Sequence, residues 1–134
     1  MPRFIAACDI VLSLHRAEGL GLVLAEAMQL GKPVVATAWS GNMDFMDHTT
    51  AALVGYHLKP VRDPRHVYDE AGAVWAEPDQ QHAVAQLRRL ADDAQERVAL
   101  GMRARHSVTT KLGVGPLVDA VRGMILPTRQ DVAA

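Results

Sequence analysis

The chain has 134 residues, of which 49% are hydrophobic and 22% charged, a composition typical of a soluble domain with a core and not of a disordered segment. The formal net charge of −1 gives no reason to expect nucleic acid or an anionic membrane as a partner. No run approaches the ~20 apolar residues of a membrane helix. The only cysteine, Cys8, cannot form an intramolecular disulfide, so we expect a reducing compartment such as the cytoplasm.

In the first half of the chain, short apolar runs alternate with glycine-containing loops and one helix. Residues 9–14 predict a buried strand, residues 22–30 a helix that ends at Gly31, and residues 33–37 a second buried strand. This order is typical of a parallel crossover connection. Residues 51–56 could form a third strand.

The rest of the chain changes from loop to helix. Residues 42–47 predict a short helix, and residues 57–72, with two prolines and several charges, predict a loop. Asp79 is expected to cap a helix, which two further helices follow at about 95–112 and 116–126. The apolar stripes of these helices consist of Val84, Leu87, Leu90 and Ala91; of Val98, Met102 and Val108; and of Leu117, Val118, Val121, Met124 and Ile125.

These elements predict an α/β fold. It consists of a partial Rossmann-like parallel sheet of about three strands, with flanking helices and a C-terminal helical segment. We expect a donor-binding subdomain at residues 1–78, helices packing on it at 79–126, and a tail at 127–134. A sheet that begins midway exposes a strand edge, so self-association of the chain is expected as well.

Two loops are expected to face one crevice. Ligands of an open parallel sheet bind beyond the carboxyl ends of its strands, and the loops at 18–21 and 39–42 both leave strands at that end. The helix that starts at Leu22 has no Ser, Thr, Asp or Asn in its first turns to cap the free amides. Free amides and the helix dipole suit a phosphate or a sugar hydroxyl, and Gly19 and Gly21 allow close approach. Equally, the loop could simply be tight, with Glu18 as the cap.

Glu26 is a carboxylate in a helix that is apolar on nearly every side, which predicts a buried helix. A buried carboxylate is unfavourable unless it has a partner or opens onto a cleft. Glu26 lies just over one turn inside the helix, and its paired acceptors suit vicinal hydroxyls such as those of a ribose. Alternatively, it lies on a solvated edge beside Gln29 or pairs with an arginine.

The run SLHRAEGLGLVLAEAMQLGKPVVATAWSGNMDF resembles the E-x7-E region of family 4 glycosyltransferases, which have the GT-B fold. That family has the pattern E-G-x-G-L-x-x-x-E, then A-x-x-x-G-x-P-V-[VI]-A-[ST], then a glycine-containing loop. All three parts occur here in order, and the similarity extends from about residue 8 to about residue 78.

The resemblance implies a role for each matching residue. Glu18 would be the catalytic residue and would hydrogen-bond hydroxyls of the donor sugar, while Glu26 would hold the ribose hydroxyls. The backbone amides of residues 19–22 would meet the sugar and its diphosphate, and residues 40–42 would replace a more frequent Gly-Gly pair. The donor-binding residues so implied are Gly19, Leu20, Gly21, Leu22, Glu26, Ser40, Gly41 and Asn42.

The implied activity is transfer of a hexose, with retention, from a nucleotide-diphosphate sugar to a glycan or lipid-linked acceptor. Neither a cofactor nor an active-site metal is implied. The family's diphosphate-binding cations, base-recognition loop and acceptor domain lie upstream of this motif, so we expect the chain to be the C-terminal part of the enzyme, weakly binding and inactive alone. The alternative is a non-catalytic nucleotide-binding or interaction module derived from such an enzyme.

Other conspicuous residues carry weaker predictions. The six histidines lack the spacing of a zinc site, and a structural role is favoured for His15. Arg16 does not occupy the family's basic position. Trp39 could stack on a base or a sugar, or pack beneath its own loop.

Overall fold

The computed structural model describes residues 2–68 and 70–125. Its helices are α1 (Pro2–Ala6), α2 (Leu22–Gln29), α3 (Gln80–Asp92), α4 (Ala94–Lys111) and α5 (Val114–Ile125). Its strands are β1 (Val11–Ser13), β2 (Val34–Thr37), β3 (Ala52–Val54), β4 (Tyr56–Pro60) and β5 (Val74–Pro78), and a 3₁₀ helix spans Gly41–Asp44. The predicted tail at 127–134 lies outside the described residues, as does Leu126, the last residue of the predicted third helix.

The strands β1, β2 and β3 form one parallel sheet, with β2 in the middle. Val34 of β2 pairs with Val11, and Val35 pairs with Ala52. Every residue of β2 is buried, as its continuous apolar run predicts. The predicted α/β fold with a three-stranded parallel sheet is confirmed. β1 is an edge strand, and Leu12 in it is 46% exposed.

Hydrophobic residues pack on both faces of the sheet, because alternate residues of a strand point to opposite sides. On one face Val34 and Ala36 belong to a cluster that includes Met28 of α2. On the other face Val35 packs with Leu90 of α3. These contacts hold α2 against the sheet, with its first residues at the carboxyl edge.

The expectation that α2 is buried on all sides is wrong. Leu22, Val23 and Leu30 are exposed by 68%, 43% and 41%. The physical reason is that α2 contacts the sheet, α1 and α4 with only part of its circumference. The amino end of the helix, where the ligand is expected, is therefore open.

An antiparallel hairpin of β4 and β5 corrects the prediction of a loop at 57–72. Tyr56 pairs with Pro78, and Pro60 pairs with Val74. All residues of β4 are exposed, so no alternation of apolar and polar residues marked the strand. Pro60 is tolerated because it lies at the end of a two-stranded ribbon.

The stripes predicted on the C-terminal helices are only partly buried. Leu90 and Val108 are fully buried, whereas Val84, Val98 and Met102 are exposed. Small residues occupy many of the buried positions instead, because the elements approach one another closely; these are Ala83, Gly101, Ala104 and Ser107. On α5 four residues of the predicted stripe are exposed: Leu117, Val118, Val121 and Met124.

Helix α3 begins as predicted. The side chain of Asp79 accepts a hydrogen bond of 3.0 Å from the backbone N–H of His82. Asp93 caps α4 in the same way, accepting from the N–H of Glu96 at 2.8 Å. The predicted domain boundary near residue 78 stays a prediction, although β5 ends and α3 is capped there.

Candidate functional site

The first loop of the site, residues 14–21, connects β1 to α2 and ends at Gly21. Gly21 is the N-cap of α2 and has φ 89° and ψ 48°, a left-handed conformation that favours glycine. No side chain caps the first turn of α2 among the described residues, so Glu18 does not act as the cap. The first N–H groups and the positive end of the helix dipole therefore remain available to an anion.

The second loop, residues 38–42, leaves β2 and touches the first loop directly. The N–H of Gly41 donates to the carbonyl oxygen of Glu18 at 3.0 Å. A Cβ at position 41 would lie 1.8 Å from the carbonyl oxygen of Gly19, so only glycine fits there. The two loops thus meet at the carboxyl edge of the sheet, where sequence reasoning placed them.

His15 joins the two loops to the sheet through three hydrogen bonds. Its Nε2 lies 3.0 Å from both the carbonyl oxygen of Trp39 and the Oδ1 of Asn42. Both are acceptors, so Nε2 carries the proton and donates to them. Nδ1 lies 3.0 Å from the hydroxyl of Ser13, at the end of β1. These contacts agree with the structural role favoured for His15.

The polar side chains of the second loop are engaged within the protein. Asn42 is fully buried, and its Nδ2 donates to the carbonyl oxygen of Thr37 at 3.1 Å. The hydroxyl of Ser40 donates to the carbonyl oxygen of Glu18 at 2.7 Å and accepts from its N–H at 3.2 Å. The single hydroxyl proton of Ser40 is therefore not available to a ligand.

The carboxylates of Glu18 and Glu26 differ in their surroundings. The Cγ of Glu18 lies 3.5 Å from the position of a Cβ on Gly21, so the side chain starts beside the amino end of α2. Glu26 lies one turn inside α2, on the same side of the helix as the exposed Leu22. Its Oε2 is buried and has no hydrogen-bond partner among the described residues. Thr37 Oγ1, at the carboxyl end of β2, is buried and unpartnered in the same way.

An open hollow of about 920 Å³ lies beside the first loop. Glu18, Gly19 and Ser40 line one side, and residues of the β4–β5 hairpin, including Val74 and Trp75, line the other. The structure does not bring Glu26 into this hollow. The hairpin wall was missed because every residue of β4 is exposed; the short apolar run Val74–Ala76 of β5 was the available signal.

Arg16 lies at the same hollow but is held by the hairpin. Its guanidinium pairs with the carboxylate of Glu77 at 2.8 Å and lies 4.9 Å from the ring centre of Trp75. Trp39 contacts Tyr56, with ring centres 5.2 Å apart, which agrees with the packing role considered for it. These contacts attach the hairpin to the first and second loops, at the carboxyl edge of the sheet.

Among the described residues, no group of three His, Cys, Asp or Glu side chains is arranged to hold a metal ion. Nor does any helix in that part of the chain have the length and apolar character needed to span a membrane.

The sequence of residues 1–107 matches the family of glycosyl transferases, group 1. The chain belongs to this family. The match includes both loops, α2 and most of α4, so the candidate site lies inside the family domain. No curated protein matches the chain in sequence.

Solved structures of HepE from Anabaena have a similar fold. The complex of HepE with UDP and glucose matches 92% of this glycosyltransferase chain with a TM-score of 0.67 and 22% identity. The complexes with UDP and with UDP-glucose match 93% and 92% of it, with TM-scores of 0.66 and 0.65 and identities of 22% and 23%. The chain spans only 29% of the HepE chain, and the similarity supports a GT-B glycosyltransferase fold.

Proposed function

We propose that this group 1 glycosyltransferase domain binds a nucleotide-diphosphate hexose at the amino end of α2. The longer enzyme would transfer the hexose with retention to a glycan or lipid-linked acceptor. The observation that carries the proposal is the buried Oε2 of Glu26, which has no partner although it lies one turn from uncapped helix amides. A carboxylate oxygen in that state is unfavourable unless a ligand donates to it.

The backbone of the first loop supplies the binding site for the diphosphate. The N–H groups at the start of α2 and the helix dipole attract the negative charge, which grows on the diphosphate as the sugar leaves. Leu22 and Val23 are exposed, so a ligand can reach these amides without displacing a side chain from the core. Gly19 and Gly21 leave room for it.

The two glutamates act on different parts of the donor. Glu18 accepts hydrogen bonds from hydroxyls of the transferred hexose, whose ring then faces the hollow between the first loop and the hairpin. Glu26 accepts from the two ribose hydroxyls. Positioning and electrostatic stabilisation do most of the work, because the leaving diphosphate can itself take the proton of the acceptor.

Two findings outside the site support the proposal. The family match covers residues 1–107 and so includes every residue assigned to the donor. HepE, which shares the fold, has been solved with UDP and with UDP-glucose. The acceptor-binding site and the cations that complete the diphosphate site would belong to the remainder of a longer protein, and we propose the cytoplasm as its location.

The test is to titrate UDP-glucose into the wild-type protein and the Glu26→Gln variant. Glutamine keeps the size of the side chain but presents one acceptor oxygen in place of two, so we expect the Kd to rise about 10- to 100-fold. Glu96→Gln is the matched control, because Glu96 lies at the start of α4 and pairs with Arg89 at 3.4 Å, away from the donor loops. Equal affinity of the wild type and the Glu26→Gln variant would refute the assignment. Parallel titrations with UDP, GDP and dTDP would identify the base.

A further inference from the structure

Ser40 has a backbone conformation that is unusual for a residue with a side chain. Its φ is 81° and its ψ is −160°, a region occupied almost exclusively by glycine. Such a conformation is unfavourable and persists only where the surrounding structure enforces it. The residue lies in the second loop between Trp39 and Gly41, and both Ser40 and Gly41 contact the first loop.

The contacts that enforce this conformation all end on the peptide groups of Glu18. The hydroxyl of Ser40 donates to the Glu18 carbonyl oxygen at 2.7 Å and accepts from the Glu18 N–H at 3.2 Å. The N–H of Gly41 donates to the same carbonyl at 3.0 Å. Both backbone polar groups of Glu18 are therefore fixed by two consecutive residues of the second loop.

The carboxylate of Glu18 is free of these contacts. No hydrogen bond or ion pair joins it to another described residue, so its position depends on its own backbone. A hydroxyl has one proton to donate, and that of Ser40 is used on the Glu18 carbonyl. The side chain of Ser40 has no proton left for a phosphate or a sugar.

We propose that Ser40 is a positioning residue: its strained backbone and its hydroxyl hold the peptide of Glu18 so that the carboxylate faces the donor hexose. This proposal rests on the proposed function. It gives the side chain of Ser40, which the resemblance includes among the donor-binding residues, an indirect role in binding. Glycine at position 40 would relieve the backbone strain but would leave the N–H of Glu18 without its partner.

The test compares Ser40→Gly with Ser40→Ala, which lose the same hydroxyl but differ in strain. We expect both to weaken UDP-glucose binding about 10-fold. Ser40→Gly should nevertheless unfold at a temperature about 4 °C or more above that of Ser40→Ala, since only alanine retains the strain. The two variants would then bind UDP-glucose equally weakly although their unfolding temperatures differ. A purely structural role for Ser40 predicts instead that the more stable variant binds more tightly.

Ser107→Ala is the matched control. The buried hydroxyl of Ser107 donates to the carbonyl oxygen of Phe45 at 3.2 Å, so its loss should lower stability but leave the Kd unchanged. The proposal is overturned if Ser40→Gly binds UDP-glucose like the wild type, or if the affinities of the three variants follow their stabilities.

A second readout needs no ligand. The N–H of Glu18 should exchange with solvent at least about 10-fold faster in both Ser40 variants, because its acceptor is gone. Unchanged exchange would overturn the positioning role. The two proposals can fail separately. If the wild-type protein binds no UDP-glucose, the proposed function is refuted. Faster exchange of the Glu18 N–H in the variants would still support the role of Ser40 in fixing the Glu18 backbone.

Discussion

Replacing Gly41 with alanine would place a methyl group 1.8 Å from the carbonyl oxygen of Gly19. Real Cβ atoms essentially never approach another heavy atom to less than 3.0 Å, so the two loops would have to separate by about 1.2 Å, the difference between these distances. Gly41 is not among the residues with positive φ, and alanine could adopt its backbone conformation. The effect is therefore steric.

The size of the effect follows from what the separation breaks. Overpacking of this kind costs about 1–3 kcal/mol, and the 3.0 Å bond from Gly41 N–H to Glu18 would be lost, at about 1 kcal/mol. We expect the free energy of unfolding to fall by about 2–4 kcal/mol. Displacement of the first loop should remove at least one charge-assisted hydrogen bond to the diphosphate, so the Kd for UDP-glucose should rise about 10- to 100-fold.

Gly101→Ala is the control for this substitution. A Cβ on Gly101 of α4 would lie 2.0 Å from the carbonyl oxygen of Gly31, after the other end of α2. Urea unfolding should show a similar loss of stability for both variants, and UDP-glucose titration should show weaker binding only for Gly41→Ala. A Gly41→Ala protein with wild-type stability and affinity would refute the steric argument, and equal losses of affinity in both folded variants would refute its assignment to the donor site.

Two further predictions concern polar groups. His15→Phe should lower the free energy of unfolding by about 1–3 kcal/mol, because phenylalanine has no N–H to donate to the Oδ1 of the buried Asn42; urea unfolding measures this, and an unchanged midpoint would contradict it. The hydrogen bond from Thr49 holds the pKa of Asp47 below its usual value of 3.8, aided by further bonds from Thr49 and Thr50 and by the charge of Lys111, against the opposing effect of burial. Asp47 therefore stabilises the fold above about pH 4, and this contribution is lost as the pH falls through the lowered pKa. Asp47→Asn should show a smaller loss of stability between about pH 5 and pH 2.5 than the wild type, and parallel curves would contradict this.

The order of the sheet strands and the bounds of α2 could be predicted from local patterns of the sequence. β2 is a continuous apolar run, and Gly31 with Pro33 marks the end of the helix. The β4–β5 hairpin could not be predicted in this way, since its residues are mostly exposed and its pairing connects positions 14 to 22 residues apart.

The position of the two loops was predictable, and the contacts between them were not. Glycines and an uncapped helix placed the two loops at one edge of the sheet. The hydrogen bonds of Ser40 to Glu18, and the close approach of Gly41 to Gly19, depend on how two distant segments meet. The residue spacing within either loop does not predict how closely the two loops approach each other.

The most direct test of donor binding at α2 is to record backbone amide NMR spectra of the protein while UDP-glucose is added, a method that also detects weak binding. We expect the largest chemical-shift changes on residues 19–24, with little change on α5. Changes confined to α5 or to the C-terminal part of α4, with the amides of residues 19–24 unmoved at saturation, would contradict it.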